Sequence, residues 1–395
     1  MLRKPIITFL GHVDHGKSSV IEKITSLPIT RGEPGLITQS IRSYKVSMEA
    51  IQKLTQSLQK SAQVKIPGFL LIDSPGHAAF NNLRKRGGNL ADLAVLVIDL
   101  NQGMQDQTLE CIEILRSYKT PFVIAANKLD LLPGWNQLGQ NVLQNIARQR
   151  APVQEDLDKR MYAMVARLAE YNLNAERFDR IDDFAKQIAI VPCSALTGEG
   201  IPELLMVLTG LAQKFLEKKL EIDPAREGKG IILEVKEEKR LGTTLDVILY
   251  DGSLKVNDQV VMGSLGEPLV TKIRGLFDYE GKKLQKVEQV NAATGVKILA
   301  PGVKNAIGGM PLRVGYNSVE EVKQEIKQEI EQVTLAVDQE GIVAKADTLG
   351  SLEALLGLLR KAGVKVKRAS IGEIVKKDTA EAGTVAVRRY SGIDS

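Results

Sequence analysis

The chain has 395 residues, 26% of them charged and 44% hydrophobic, with a net charge of +5. That length accommodates two or three domains, each with its own core, and the composition excludes collagen-like, disulfide-stapled and intrinsically disordered classes. No apolar run approaches the roughly 20 residues of a membrane span, Met1–Thr8 carries no signal-peptide pattern, and the mild basicity permits a nucleic-acid partner without demanding one.

Continuous apolar runs at Ile6–Leu10, Phe69–Ile72, Leu93–Ile98, Phe122–Ala126 and Ile188–Val191 predict buried parallel strands. Alternation is lost when helices cover both faces of a sheet. Helices are predicted between them at Lys17–Leu27, Gln107–Ser117 and Ile201–Lys218. Two helical insertions interrupt the pattern at Met48–Ala62 and Asn145–Asp183, the second heavily charged and expected on the outside. Cys111 and Cys193 fall in a core helix and a core strand, which implies buried thiols and a reduced, cytoplasmic compartment. Residues 1–222 are thus expected to form an α/β domain with a doubly wound, mostly parallel sheet.

Asp223–Gly230 has the composition of a linker. From there to residue 315, alternation at Thr243–Leu249 and Thr271–Leu276, punctuated by glycines, predicts an antiparallel β-barrel over 229–315. Ser318 opens a helix over 318–332, with Glu321 completing a capping box and Val319, Val322, Ile326 and Ile330 forming a narrow stripe. Residues 340–395 read as strand Gly341–Lys345, a helix carrying Leu352, Leu355, Leu356 and Leu359, and strand Val364–Lys367. A partial, small α/β domain follows, at a size where one core is marginal.

Four motifs in fixed order point to a pocket for GTP and Mg²⁺. GHVDHGKS, Gly11–Ser18, fits the phosphate-loop pattern between a strand and a helix. Its backbone, with Gly11, Asp14, His15, Gly16 and Ser19, is expected to cradle phosphate at the helix start. Lys17 would reach the β- and γ-phosphates and the Ser18 hydroxyl would ligate Mg²⁺. In DSPGH, Asp73 ends a strand and would hold Mg²⁺ through water, while the Gly76 amide meets the γ-phosphate. NKLD places Asp130 to accept from both guanine donors and Asn127 to read the opposite edge, flanked by Lys128. Adenine lacks those donors and would strand a buried carboxylate. Ser194, Ala195 and Leu196 would add contacts to the base.

All three histidines, His12, His15 and His77, fall in these motifs. His77 follows the γ-phosphate amide, where other GTPases place a water-orienting Gln; the competing reading is a capping or exposed histidine. Thr38, in GEPGLITQ, has the placement of a switch-loop ligand of Mg²⁺, or is a plain loop threonine. Arg84, Lys85 and Arg86 divide evenly between a solvated face and a contact to RNA phosphates.

GHVDHGKS with DSPGH is similar to the translational GTPases. GEPGLITQ, DSPGHAAFNNLRKRGG, LVIDLNQGMQDQT and NKLDLLPGW narrow the resemblance to the translation initiation factor 2/5B family. The insertions and Trp135 resemble its archaeal and eukaryotic branch, and ADTLGSLEALL with IGEIVKKD resembles the family's third domain. The resemblance implies a ribosome-stimulated GTPase switch, acting as a monomer with ribosomal RNA and proteins, that promotes subunit joining. It implies His77 as the catalytic histidine. It also implies that Asp14 and the Leu36 carbonyl hold a monovalent cation (K⁺ or Na⁺), although some relatives carry glycine at the latter position. The family continues into a barrel that holds initiator tRNA, so a fragment lacking that domain is expected. The rivals are an elongation-factor type of translational GTPase and a catalytically silent GTP-binding scaffold.

Overall fold

The computed structural model describes residues 1–26, 42–58, 64–73, 84–85, 88–139, 141–238, 241–264, 267–280, 283–315, 318–334, 341–346, 352, 355–356, 358–359, 362–372 and 374. Nine strands belong to the first part of the chain: β1 Ile6–Leu10, β2 Arg42–Ser47, β3 Gly68–Asp73, β4 Arg84–Lys85, β5 Gly88–Asn89, β6 Leu93–Asp99, β7 Phe122–Asn127, β8 Ala175–Arg177 and β9 Ile188–Pro192. Seven of them make one sheet in the order β2-β3-β1-β6-β7-β9-β8, and β4 and β5 form a separate short hairpin. All neighbours in the large sheet are parallel except β2, which runs antiparallel to β3.

Every residue of β1, β3, β6 and β7 is buried. The covering helices are α1 Lys17–Thr25, α2 Met48–Thr55, α3 Asp106–Ser117, α4 Val142–Arg148, α5 Ala151–Glu170 and α6 Ile201–Leu220. Fully burying a Val, Leu or Ile side chain stabilises by about 1.5–3 kcal/mol, which is why these runs carry so little polarity. The chain leaves β1 toward β3 on one side and later fills β6, β7 and β9 on the other. The order therefore reverses at the C-terminal end of β1, where open sheets bind ligands.

The second insertion departs from the expected all-helical stretch. It contains α4 and α5, and then β8 adds to the sheet edge parallel to β9, with Glu176 opposite Ala189. Three residues are too few to show a strand period against a helical background. Strand β2 was likewise hidden, because only Val46 of its six residues is buried.

Ten strands follow: β10 Lys229–Glu238, β11 Gly242–Asp251, β12 Ser253–Lys255, β13 Gln259–Met262, β14 Leu269–Lys272, β15 Gly275–Glu280, β16 Lys283–Val287, β17 Gln289–Asn291, β18 Thr294–Leu299 and β19 Pro311–Val314. Eight form an antiparallel sheet ordered β14-β13-β19-β10-β11-β18-β15-β16, with β12 and β17 as a separate ribbon. Leu269 near one edge and Val287 at the other pack against the same core, so the sheet curls on itself in a barrel-like way. The expected strand Thr271–Leu276 is corrected: it straddles the end of β14 and the start of β15. Ile231, Leu233 and Ile248 of this sheet, with Ala293 in the turn before β18, join the core of the first, and Lys45 of β2 pairs with Asp278 of β15.

Helix α7, Val319–Thr334, is capped by Ser318 Oγ accepting from Glu321 N at 3.2 Å. Arg313 reaches across to Glu325 and Glu329 and fastens it to the barrel-like sheet. Beyond it, β20 Ile342–Ala346 pairs in parallel with β21 Val366–Ile371 over Leu352 and Leu356.

Candidate nucleotide-binding site

The loop between β1 and α1 is shaped by two glycines. Gly11 has φ +139°, and a Cβ there would lie 2.2 Å from the Val97 carbonyl oxygen. Gly16 caps α1 at φ +89°, with Asn127 Nδ2 only 2.4 Å from where a Cβ would be. Asp14 also takes a left-handed backbone, φ +64°, which short polar residues tolerate better than branched ones. Gln107 Oε1, at the start of α3, accepts from Val13 N at 3.2 Å and steadies the loop from the side. Sequence reasoning missed Gln107; its only signal is its place in the first turn of that helix.

Lys17 folds back over this loop, donating from Nζ to the Gly11 and His12 carbonyls at 3.0 and 2.8 Å. Burial pulls its ammonium below the ordinary lysine range, and the Asp73 carboxylate pushes back. Asp73 is fully buried at the end of β3. Ser18 lies beside Lys17 in the first turn of α1, with Ser19 next to it and exposed. Serine and aspartate oxygens are hard donors of the kind Mg²⁺ takes, alongside phosphate oxygens and water. Among the described residues no three His, Cys, Asp or Glu side chains gather to hold a metal alone.

His15 is fully buried, and among the described residues neither ring nitrogen finds a partner of good hydrogen-bond geometry, although the Val97 backbone lies close enough to favour its charged form. Its ring stands 5.1 Å from that of His12, edge to face. Burial first, and then the neighbouring His12, push its pKa down to about 4. The imidazole is therefore neutral at physiological pH.

Asn127 is the keystone of the site. Its Nδ2 donates to the His15 carbonyl and its Oδ1 accepts from Ala195 N, both at 2.9 Å. It thereby ties the phosphate loop, the end of β7 and the loop after β9 together. A second hydrogen on the same nitrogen is left for a base. Leu129 N donates to the Cys193 carbonyl and Cys193 N to the Ala126 carbonyl, fixing NKLD against SAL. Ser194 turns out to act through its side chain: Oγ donates to Asp130 Oδ1 at 2.5 Å and orients that carboxylate. The Leu196 side chain is exposed, and its carbonyl accepts from Lys23 Nζ at 3.1 Å. Lys128, left-handed at φ +64°, pairs with Asp99 at 2.9 Å.

The structure thus brings Gly11, Asp14, His15, Gly16, Lys17, Ser18, Asp73, Asn127, Lys128, Asp130, Ser194 and Ala195 to the C-terminal edge of one sheet. Leu36, Thr38, Gly76, His77 and Arg86, and the side chains of Arg84 and Lys85, lie outside the described residues.

A family profile described as Elongation factor Tu GTP binding domain matches residues 3–214, and one described as Translation-initiation factor 2 matches residues 316–387. A probable translation initiation factor IF-2 of Methanopyrus kandleri is 47% identical over 98% of this chain and 67% of its own length. The chain belongs to the translation initiation factor IF-2 family. A second member, from Ignicoccus hospitalis, is 46% identical over 97% of this chain and 65% of its own. The chain spans about two thirds of the length of the curated relatives it matches. Among solved structures, GDP-bound aIF5B from Aeropyrum pernix superposes with a TM-score of 0.87 at 42% identity, over 96% of this chain and 66% of that one. A bacterial selenocysteine-specific elongation factor, at 18% identity and TM-score 0.53, shares the fold alone.

Proposed function

We propose that the protein is a GTP-hydrolysing switch of translation initiation, working in the cytoplasm as a monomer on the ribosome and promoting the joining of its subunits. The observation that supports it best is the Asn127 junction, which ties the phosphate-loop motif to the NKLD and SAL loops through two hydrogen bonds. In this reading the β- and γ-phosphates displace the Gly11 and His12 carbonyls as partners of Lys17. The Ser18 hydroxyl, Thr38 and, through water, Asp73 would hold Mg²⁺, whose charge would offset that developing on the transferred phosphoryl group. Asp130, already oriented by Ser194, accepts from the guanine N1–H and exocyclic amine. The Gly76 amide meets the γ-phosphate and His77 orients the attacking water. Asp14 with the Leu36 carbonyl is assigned to a monovalent cation.

The match of residues 316–387 to an initiation-factor profile favours this reading over an elongation factor. In this reading these residues carry the contacts to nucleotide and ribosome. Guanine specificity is the first test. Asp130→Asn replaces an acceptor by a donor and should shift preference toward xanthine nucleotides, whose 2-oxo group pairs with the new amide. The parent should prefer GDP over ADP by at least about a thousandfold. Comparable binding of ADP sinks the reading.

A further inference from the structure

Two polar chains run from the inserted helices to the base-reading loops. The first begins at Arg160 on α5, whose Nη1 donates to Asn101 Oδ1 at 3.3 Å. Asn101 Nδ2 in turn donates to the Lys128 carbonyl at 3.1 Å, and its backbone N to Asp99 Oδ1 at 2.8 Å. The other Asp99 oxygen is the partner of the Lys128 ammonium. Burial works against the Asp99 carboxylate, yet the Lys128 and Asn101 donors hold it below the ordinary range. Lys128 occupies a left-handed backbone that is unfavourable for a lysine, so it stays there only while its surroundings enforce it.

The second chain begins at Asn145 on α4, whose Nδ2 donates to Glu199 Oε1 at 2.5 Å. Trp135 Nε1 donates to Glu199 Oε2 at 3.1 Å. The Glu199 carbonyl accepts from Ser194 N at 2.8 Å and closes the turn that presents Ser194 to Asp130. Beside it, Glu203 Oε1 accepts from Val142 N at 2.8 Å and tethers the start of α4. Both carboxylates are at most 1% exposed. Well-packed apolar side chains would attach an inserted segment at least as firmly as desolvated carboxylates do. What apolar packing cannot supply is directional contact to particular backbone groups. Here the two chains end on the backbones of Lys128, two residues before Asp130 in the same loop, and of Ser194, whose hydroxyl donates to the Asp130 carboxylate.

We propose that the inserted segment α4–α5 is a brace that sets how long a guanine nucleotide stays bound, with Arg160, Asn101 and Glu199 as positioning residues. The proposal rests on the guanine-nucleotide reading above. Loops held in their binding geometry beforehand lose less freedom when the base arrives, and they let it go more slowly.

The test uses the whole chain and a fluorescent N-methylanthraniloyl GDP. Arg160→Met keeps the stem and removes the donor to Asn101. Glu199→Gln keeps the shape and turns one acceptor toward a donor. Each should release the nucleotide about tenfold faster than the parent and raise KM for GTP, with kcat at saturating GTP unchanged. Arg160→Lys, which retains a donor, should return release to within about twofold of the parent. Trp135, the only tryptophan, reports directly on the second chain through a shift in its emission in Glu199→Gln. If the parent binds no GDP, the nucleotide reading itself falls. If the parent binds and both variants release at its rate, the brace is overturned. A joint fall of kcat and melting temperature also overturns it, in favour of plain structural packing.

Discussion

Asn127→Ala separates what holds the site together from what reads the base. In the parent, the Asn127 amide satisfies the His15 carbonyl and the Ala195 N–H inside a side chain that is 2% exposed. Alanine leaves both backbone groups buried and unpaired, at about 1–3 kcal/mol each. Partial relaxation and entry of a water reduce the sum, so about 3 kcal/mol is the expected loss. For a domain of this size each kcal/mol moves the melting midpoint by about 2–4 °C, which gives a fall of roughly 6–12 °C. Asp130→Asn is the control, because its Oδ1 still accepts from Ser194 Oγ and among the described residues no backbone group bonds to it. It should melt within about 2 °C of the parent while losing guanine. The assay is thermal unfolding of the protein freed of nucleotide, followed by circular dichroism. An Asn127→Ala protein that melts within about 2 °C of the parent would refute the idea that Asn127 braces three motifs in the absence of ligand.

His15, held down to about 4 against an ordinary 6.5, makes stability fall with acid. The unfolded chain takes up a proton below pH 6.5 that the folded one refuses until about pH 4. The contribution is therefore full above pH 6.5 and lost across that window, by about 3 kcal/mol at its low end. The stability of His15→Gln relative to the parent, measured by urea unfolding, should rise by that order between pH 7 and pH 4; a gap independent of pH refutes it. Burial pushes the Cys111 thiol up to about 11 and the Cys193 thiol further still, and both are fully buried. Neither should react with a thiol reagent at pH 8 until the protein unfolds, and prompt titration of even one thiol in the native state contradicts the packing.

The parts of the fold that were legible in the sequence are those where a single pattern has one physical meaning. The runs Ile6–Leu10 and Leu93–Ile98 could bury both faces only in a parallel sheet, and that is where they lie. Elements at the sheet edges were not legible, since β2 is mostly half-buried and β8 has only three residues, so neither the period nor the length betrays a strand. The site divides in the same way. Gly11, Lys17 and Asp130 stand in patterns tied to one chemistry, whereas Asn101, Gln107, Arg160 and Glu199 matter through whom they touch across 27 to 94 positions of sequence. A motif records groups that must face the ligand in fixed register along the chain. The groups that hold those in place need only arrive from somewhere in space, so any stretch of the chain can supply them. Asn127 shows both cases in one residue. Its place in NKLD advertises the base, while its two 2.9 Å bonds, to His15 and Ala195, show that before any base arrives it is already holding the pocket closed upon itself.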